Sequence, residues 1–566
     1  MSNIDFEPTE WYERGLAEER NGRLEEAIAC YDRVLTLDPH HRDALINKGF
    51  TLGNLGRFEE AIPCFNKVLE FNQFDEYAWA NLGWVLGELR RFEEGVSCSD
   101  QALKIKPDMA LALNNKGWEL GELGRFDEAV TCLDRALKIE PDNDLAIANL
   151  GWALMQLRRF EEALGYFDRI LEKNPRCDKT WNSKAQSLAE LGRFGEAILC
   201  CNRSLEINPR NALALINKSW ALGELGRFQE SLECGNRAVE INPQNAMAWN
   251  NKGWALGELG FPDEAFSCYD HASELDPDNA LIWNNKGWAY QQKGRIPEAL
   301  ECYGRATDVN PYYSKAWANK ISLLLNSYRY REAEQSCNRA LEFQPYDCDS
   351  WYNKGIALTG LGRIDEAIQC YERTNQINPQ YTNAWYNKGI LLVEGGRIDE
   401  ALYSYNQAIE ASPEFADAWY NKSVALGKVG RFDELIYCCD RAIQINPQMA
   451  YAWVNKGWAF ASLKRFFDAI NCYNAAIQID PSMALAWSNM GWAKGELRQF
   501  SDAIRCFNRA IEINPEFGDA WLGNGAALGE MGRNQEALRC FERAYDLGIL
   551  SAQDAIRACR QRLGMR

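Results

Sequence analysis

Cysteine and histidine are the residue types of this chain that could supply nucleophiles, general bases or metal ligands. The sequence has 19 cysteines and 3 histidines among 566 residues. No C-x-x-C pair is present, and His40, His41 and His271 are not accompanied by a recognisable nucleophile. There is also no glycine-rich phosphate-binding loop. We therefore predict a protein that is not an enzyme and that holds neither a metal nor another cofactor.

Thirteen of the cysteines recur at the interval that separates Cys30 from Cys64. At some places along the chain the interval is twice as long. One small apolar thiol per interval is typical of packing in a reducing compartment rather than of a metal or redox site. These cysteines are Cys30, Cys64, Cys98, Cys132, Cys200, Cys234, Cys268, Cys302, Cys370, Cys438, Cys472, Cys506 and Cys540.

The charge balance argues against a polyanionic partner. The chain has 62 basic and 80 acidic residues, which gives a net charge of −18, and we find no basic patch that could bind phosphates. No run of 18 apolar residues occurs, and the start of the sequence is acidic and polar rather than a signal peptide. We expect a cytoplasmic protein that binds neither nucleic acid nor a membrane.

An internal repeat organises the chain, and one clear unit of it runs from Ala280 to Tyr313. Sixteen repeats run without insertion over residues 8–551, after an extension of residues 1–7 and before residues 552–566, which we predict to be a capping helix. Numbering each repeat from 1 to 34, position 4 is Trp in 12 repeats, position 20 is Ala in 13 and position 32 is Pro in 14.

Each repeat is predicted to form a hairpin of two α-helices. At roughly 100° per residue, positions 4, 7, 8, 11 and 14 share one side of the first helix, and Gly at position 8 lets the second helix approach closely. The second helix has its own apolar stripe at positions 17, 20 and 24, and Pro at position 32 ends it. Neither helix can bury its stripe alone, so neighbouring hairpins must stack into a solenoid.

The residues at these positions resemble the signature of the tetratricopeptide repeat. In repeat 9 they are Trp283, Gly287, Tyr290, Ala299, Tyr303 and Pro311. The resemblance implies an all-α, right-handed superhelical solenoid whose first helices line a concave groove. It also implies a non-enzymatic scaffold for protein–protein interaction.

The outward side of the first helix has Asn at position 6 in 13 of the 16 repeats. Asn is a mediocre helix former, and its amide can both donate to and accept from a peptide backbone. The row resembles the asparagine ladder in the repeat arm of O-linked N-acetylglucosamine transferases, which holds an extended polypeptide. Alternatively, each Asn bonds to the neighbouring repeat and orders the stack. The row comprises Asn47, Asn81, Asn115, Asn149, Asn217, Asn251, Asn285, Asn319, Asn353, Asn387, Asn421, Asn455 and Asn489.

Aromatic and acidic residues accompany the asparagine row. Trp at position 9 either packs sideways between first helices or is an exposed anchor for a ligand. Glu at position 13 is either a solvated charge or a partner for basic ligand residues, and Gly at position 12 opens space beside the indole. The tryptophans are Trp84, Trp118, Trp152, Trp220, Trp254, Trp288, Trp458 and Trp492. The acids assigned to the groove are Glu88, Glu122, Glu224 and Glu258.

The first helices have two further recurrent features. Repeats 11 to 13 have Tyr352, Tyr386 and Tyr420 at position 5, which indicates either a second subsite or neutral variation. Lys at position 7 occurs in 11 repeats, and we predict a buried aliphatic stem with its ammonium group at the surface rather than a ligand contact.

We predict that the groove binds extended segments of partner proteins that contain basic and apolar residues. A regulatory or targeting subunit of a separate enzyme, such as a glycosyltransferase or a kinase, is a second possibility. A structural assembly factor that uses its convex second-helix surface is a third. The segment that follows the repeats, residues 552–566, is too short to form a catalytic domain of the transferase kind.

Overall fold

The repeat seen in the sequence folds as consecutive pairs of α-helices. The computed structural model describes residues 7–565, and this part of the chain contains 33 helices and no β-strand. Most first helices have 13 residues and most second helices 14. The predicted all-α helical-repeat fold is therefore confirmed.

The described residues fall into two compact units that adjoin in sequence at Lys293 and Gly294. The helices of the N-terminal unit are α1 (Pro8–Arg20), α2 (Leu24–Leu37), α3 (Arg42–Asn54), α4 (Phe58–Phe71), α5 (Glu76–Glu88), α6 (Phe92–Ile105), α7 (Ala110–Glu122), α8 (Phe126–Ile139), α9 (Asp144–Gln156), α10 (Phe160–Lys173), α11 (Asp178–Glu190), α12 (Phe194–Ile207), α13 (Ala212–Glu224), α14 (Phe228–Ile241), α15 (Ala246–Glu258), α16 (Pro262–Leu275) and α17 (Ala280–Gln292).

The helices of the C-terminal unit are α18 (Ile296–Val309), α19 (Ser314–Asn326), α20 (Tyr330–Phe343), α21 (Cys348–Gly360), α22 (Ile364–Ile377), α23 (Thr382–Glu394), α24 (Ile398–Ala411), α25 (Ala416–Lys428), α26 (Phe432–Ile445), α27 (Ala450–Ser462), α28 (Phe466–Ile479), α29 (Ala484–Glu496), α30 (Phe500–Ile513), α31 (Gly518–Glu530), α32 (Asn534–Asp546) and α33 (Ala552–Arg562).

Within each compact unit, every helix packs on the next helix along the chain. Most first helices also contact the first helix of the following repeat, as α5 does with α7 and α19 with α21. The second helices of successive repeats contact one another far less. Each row of hairpins therefore curves with its first helices on the inner side.

Glycine at position 8 makes room for the aromatic ring at position 24, as predicted. A Cβ atom placed on Gly49 would lie 2.6 Å from Cζ of Phe65, and one on Gly355 would lie 2.5 Å from a ring carbon of Tyr371. These separations are too short for two carbon atoms, so the helices of a hairpin pack this closely because position 8 has no side chain. Ala at position 20, for example Ala61, is fully buried in the same contact.

In most repeats, Trp at position 4 forms a hydrogen bond to the end of the preceding repeat. The indole N–H of Trp181 donates to the carbonyl of Pro175 at 2.9 Å, and Trp249 donates in the same way to Pro243 at 2.8 Å. Two recurrent residues of the repeat, Trp at position 4 and Pro at position 32, thus form one hydrogen bond across the inter-repeat turn. This explains why Trp and Pro recur together.

Lys at position 7 has the structural role expected from the sequence. The ammonium of Lys286 lies 4.9 Å from the ring centroid of Trp283 and 2.7 Å from a carboxylate oxygen of Asp270 in the preceding repeat. Lys456 has equivalent partners in Trp453 and Asp440. The lysines therefore join neighbouring hairpins, and the prediction of a packed stem is confirmed.

All thirteen regularly spaced cysteines are buried. Burial raises the pKa of Cys472 and of Cys540 to about 11, which disfavours the reactive thiolate. Between residues 7 and 565 there is no group of three residues that could hold a metal ion. In the same part of the chain no helix is long and apolar enough to cross a membrane.

Asn375 is a buried polar residue at position 28 of repeat 11, and neither atom of its amide has a hydrogen-bond partner within residues 7–565. Buried Leu137, Leu171 and Leu341 occupy the same position in other repeats. We expect Asn375→Leu to raise the free energy of unfolding by about 1–3 kcal/mol, because it removes an unsatisfied buried amide and adds apolar contact. Chemical denaturation followed by circular dichroism measures the change. A loss of stability would contradict the description of the Asn375 amide as buried and without a hydrogen-bond partner.

Candidate functional site

The predicted asparagine row lies between neighbouring first helices, and most of its amides donate to the preceding repeat. The amide of Asn115 donates to the backbone carbonyl of Ala80 at 3.0 Å, and that of Asn251 donates to the carbonyl of Ile216 at 3.1 Å. Nine members of the row have such a bond. They are Asn47, Asn115, Asn149, Asn217, Asn251, Asn285, Asn387, Asn421 and Asn455.

Position 5 supplies most of the acceptors and was not recognised from the sequence. The amide of Asn149 donates to the side chain of Asn114 at 3.0 Å, Asn114 donates to Asn115, and Asn115 donates to Ala80. This relay runs from α9 through α7 to α5. A second relay of the same kind begins at Asn285 and ends at the carbonyl of Ile216. A polar residue at position 5 immediately before the asparagine was the signal in the sequence.

The relays support the alternative in which the asparagines order the stack. Tyrosines also accept hydrogen bonds from the asparagine row. The hydroxyl of Tyr352 accepts from Asn387 at 3.1 Å, and that of Tyr386 accepts from Asn421 at 2.7 Å. These tyrosines are therefore inter-repeat partners in repeats 11 to 13. A second ligand subsite in these repeats stays a prediction.

Three members of the row are not engaged in this way. Asn81, Asn353 and Asn489 have no hydrogen-bond partner within the described residues, and Asn353 and Asn489 are half-buried. The remaining member, Asn319, does have an interaction within the protein. The row thus combines bridging amides with amides that the described residues leave without a partner, and of these Asn81 is only 6% exposed.

Six of the eight tryptophans at position 9 pack sideways onto the preceding repeat: Trp84, Trp118, Trp152, Trp220, Trp254 and Trp458. A Cβ atom on Gly121, at position 12 of repeat 4, would lie 2.4 Å from Cζ3 of Trp152 in repeat 5. The ring of Phe126, at position 17 of repeat 4, meets the same indole edge-on with centroids 5.8 Å apart. We call this arrangement of Gly at 12, Phe at 17 and the next repeat's indole the indole slot.

Five indoles lie against such a glycine, and their slots are occupied by the following repeat. The pairs are Gly53 with Trp84, Gly87 with Trp118, Gly121 with Trp152, Gly223 with Trp254 and Gly427 with Trp458. The indoles are not completely covered, since Trp458 remains 39% exposed and Trp492 38% exposed. Trp220 and Trp288 are half-buried as well. Sideways packing and an exposed edge therefore coexist in the same side chains.

The acids at position 13 are on the surface beside the indoles. Glu88, Glu122, Glu224 and Glu258 are all exposed. The indole N–H of Trp84 donates to Glu88 at 3.2 Å, and that of Trp220 donates to Glu224 at the same distance. The carboxylate thus orients the indole four residues earlier and keeps the surface acidic.

The chain consists of hairpins repeated at one fixed interval, and their first helices lie on the inner side of each row. This arrangement defines a helical-repeat protein with an extended interaction surface. Tetratricopeptide repeat models match segments along most of the chain. The chain belongs to the tetratricopeptide repeat family and is a protein-interaction scaffold. The matched residues are 8–41, 43–75, 280–313, 348–381 and 484–517 for one model, 114–177, 148–212 and 182–246 for a second, 76–109, 246–279 and 416–449 for a third, and 389–430 and 450–483 for two more.

Solved structures with similarity to the chain include a crystal structure of the APC/C hetero-tetramer Cut9–Hcn1. Its identity is 14% and its TM-score 0.40, with 85% of this chain and 96% of that chain covered. YrrB, described as a TPR protein with an unusual peptide-binding site, has 24% identity and a TM-score of 0.29 over 32% of this chain and 95% of that one. MamA has 23% identity and a TM-score of 0.28 over 29% of this chain and 95% of that one. No curated protein sequence matches the chain.

Proposed function

We propose that the protein binds extended polypeptide segments of partner proteins along the inner surface that the first helices form within each compact unit. The observation that carries this proposal is the pair Asn353 and Asn489, half-buried members of the asparagine row that have no hydrogen-bond partner within the described residues, on a surface that also exposes indole edges. Asn81 has no such partner either, but it is only 6% exposed. An amide matches the donor and the acceptor of a peptide group. Asn115 and Asn387 bridge to the helices that present Asn81 and Asn353.

The spacing of the surface suits an extended ligand. Packed helices are about 8–10 Å apart, and an extended strand advances roughly 3.3 Å per residue. One first helix therefore meets about every third residue of the ligand. Affinity then comes from several weak contacts along the row, because each hydrogen bond contributes little on its own.

The side-chain preferences follow from the neighbouring groups. Exposed Glu122 and Glu258 and the net charge of −18 favour ligands with Lys or Arg, and the half-exposed indoles favour apolar residues. Buried thiols suit a reducing compartment, and we place the protein in the cytoplasm. In this proposal it presents or positions its partners and does not itself catalyse a reaction.

The test uses peptides that bind the whole chain. They are selected from a displayed library of random twelve-residue peptides. We expect the triple variant Asn81→Ala, Asn353→Ala and Asn489→Ala to bind the selected peptides about threefold more weakly, since a twelve-residue peptide spans about four repeats and loses one or two hydrogen bonds of about 0.5–1.5 kcal/mol each. Fluorescence anisotropy with labelled peptides measures the affinity. Helicity and melting temperature should stay unchanged, because these three amides have no partner within the described residues.

The matched control is Asn251→Ala, which removes a bridging amide of the same row. We expect this variant to lower the melting temperature, because a buried carbonyl and Asn250 lose a partner. Unchanged peptide affinity in the triple variant would contradict the proposal. It would direct attention to the outer, second-helix surface as the site of partner binding.

A further inference from the structure

The last two repeats contain an indole slot that no tryptophan of the chain occupies. Gly495 is at position 12 of repeat 15 and Phe500 is at position 17, as in the occupied slots. Position 9 of the next repeat, however, is Ala526 instead of Trp. A Cβ atom on Gly495 would meet no other atom within 4 Å, whereas one on Gly121 would collide with Trp152.

A cavity of about 440 Å³ lies at this place, within the C-terminal unit. Gly495, Phe500 and Ala526 are among its lining residues, together with the aromatic rings of Trp492 and Phe507. Trp492 packs edge-on against Phe507 of its own repeat, with centroids 5.6 Å apart. This volume lies in the range of small-ligand pockets, and aromatic rings form much of its wall.

The cavity also has a hydrogen-bond acceptor four residues after position 9, where the occupied slot of Trp84 has one. Glu530 lines it and is four residues after Ala526. In the slot that Gly53 of repeat 2 forms for Trp84 of repeat 3, Glu88 has this relation to Trp84 and accepts its indole N–H at 3.2 Å. The slot therefore retains its glycine, its phenylalanine and its carboxylate, and only the indole is missing.

We infer that this cavity is a binding site for a tryptophan side chain of a partner polypeptide. The inference rests on the proposed function, because residues of the first helices α29 and α31 line the slot, and it identifies one anchor residue of the ligand. The occupied slots of the same protein show which group fits: a flat bicyclic ring with one N–H donor. A second copy stacked end to end would not supply it, since position 9 of repeat 1 is Leu16.

The test uses the whole chain and two fluorescein-labelled nonapeptides of Gly and Ser with two Lys residues. One has a central tryptophan and the other a central alanine. We expect the tryptophan peptide to bind at least tenfold more tightly. We expect Ala526→Trp to abolish this preference without lowering the melting temperature, because it fills the slot from within as in the other repeats.

Ser462→Trp is the matched control, since it adds an indole at an exposed position 13 of repeat 14 and leaves the cavity open. The preference for the tryptophan peptide should persist in this variant. Equal binding of the two peptides to the parent chain, or a preference that survives Ala526→Trp, would overturn the inference. The peptide affinity of the triple asparagine variant is measured separately and does not depend on either result. Failure of the anchor site can therefore be distinguished from failure of the proposed function.

A change in the ligand tests the site independently of how Ala526→Trp folds. A peptide with 1-methyltryptophan, which lacks the indole N–H, should bind the parent chain about threefold to tenfold more weakly than the tryptophan peptide. With Glu530→Ala the two peptides should bind equally. A methyl effect of the same size in both proteins would show that Glu530 does not accept the indole N–H and would overturn the proposed geometry.

Discussion

Glu119→Gln is expected to raise the free energy of unfolding by about 4 kcal/mol at pH 8 and to leave it nearly unchanged at pH 4. Glu119 is in α7, at position 10 of repeat 4, where Ala153 and Ala221 of other repeats are small and apolar. Its side chain is fully buried, and Oε1 has no hydrogen-bond partner within the described residues. Oε2 accepts from the hydroxyl of Ser99 at 3.2 Å.

Burial raises the pKa of Glu119 to about 8, although the hydrogen bond from Ser99 acts in the opposite direction. Asp100 raises this pKa and Lys116 lowers it, both to a lesser extent. Below pH 4.5 the carboxyl is protonated in the folded and in the unfolded chain. Between pH 4.5 and 8 only the unfolded chain loses the proton, so stability falls by about 1.36 kcal/mol per pH unit at most. Above pH 8 both states are ionised and the loss is complete.

Hydrogen exchange of the amides in α6 and α7, at pH 5 and pH 8.5 and corrected for the intrinsic rates, measures this local stability. A local measurement is preferable because an array of repeats need not unfold in one step. Glu122→Gln, which changes an exposed acid on the same helix, should leave the pH dependence as it is in the parent. Equal protection of the parent chain at both pH values would contradict a raised pKa.

Alanine at two glycines of the same repeat position is expected to change stability in opposite directions. Gly121→Ala should lower the free energy of unfolding by about 2 kcal/mol, because the new Cβ would lie 2.4 Å from Trp152 and must displace the indole. Gly495→Ala should raise it by about 0.5–1 kcal/mol, because helix propensity improves and nothing lies within 4 Å.

Denaturant titrations followed by circular dichroism compare the two variants with the parent. Tryptophan emission of the Gly121→Ala variant should also change, since Trp152 loses its packed position. Two effects of the same sign would mean that the slot at Gly495 is filled or that the slot at Gly121 is loose. Either result would remove the structural basis of the vacant indole slot.

Contacts inside a hairpin could be predicted from the sequence because local helix geometry determines them. Positions 8, 20 and 24 were assigned to the packed side, and Gly49, Ala61 and Phe65 meet as expected. The stem of Lys286 was assigned correctly for the same reason. In each case a rotation of roughly 100° per residue is enough to tell which side chains face the second helix.

Contacts between repeats could not be predicted, although the residues involved were identified. The angle of Asn251 on α15 places it on the outward side of its helix, but its acceptor is the carbonyl of Ile216 in the preceding repeat. Gly121 was expected to open space beside an indole, and the structure shows that this indole is Trp152 of the following repeat. The buried carboxyl of Glu119 had a signal in the sequence, since Gly95 and Ser99 in repeat 3 also depart from the usual residues.

The sequence by itself determined the period, the helical hairpin, the residues that pack within it and the absence of legible catalytic chemistry. The tertiary structure alone decided which asparagines bridge the stack, which glycines receive an indole and that the slot at Gly495 is open. The physical reason is that residue spacing specifies a direction around one helix axis. The shift and rotation between successive hairpins depend on the packing of all their side chains together, and these decide which groups meet across the repeats.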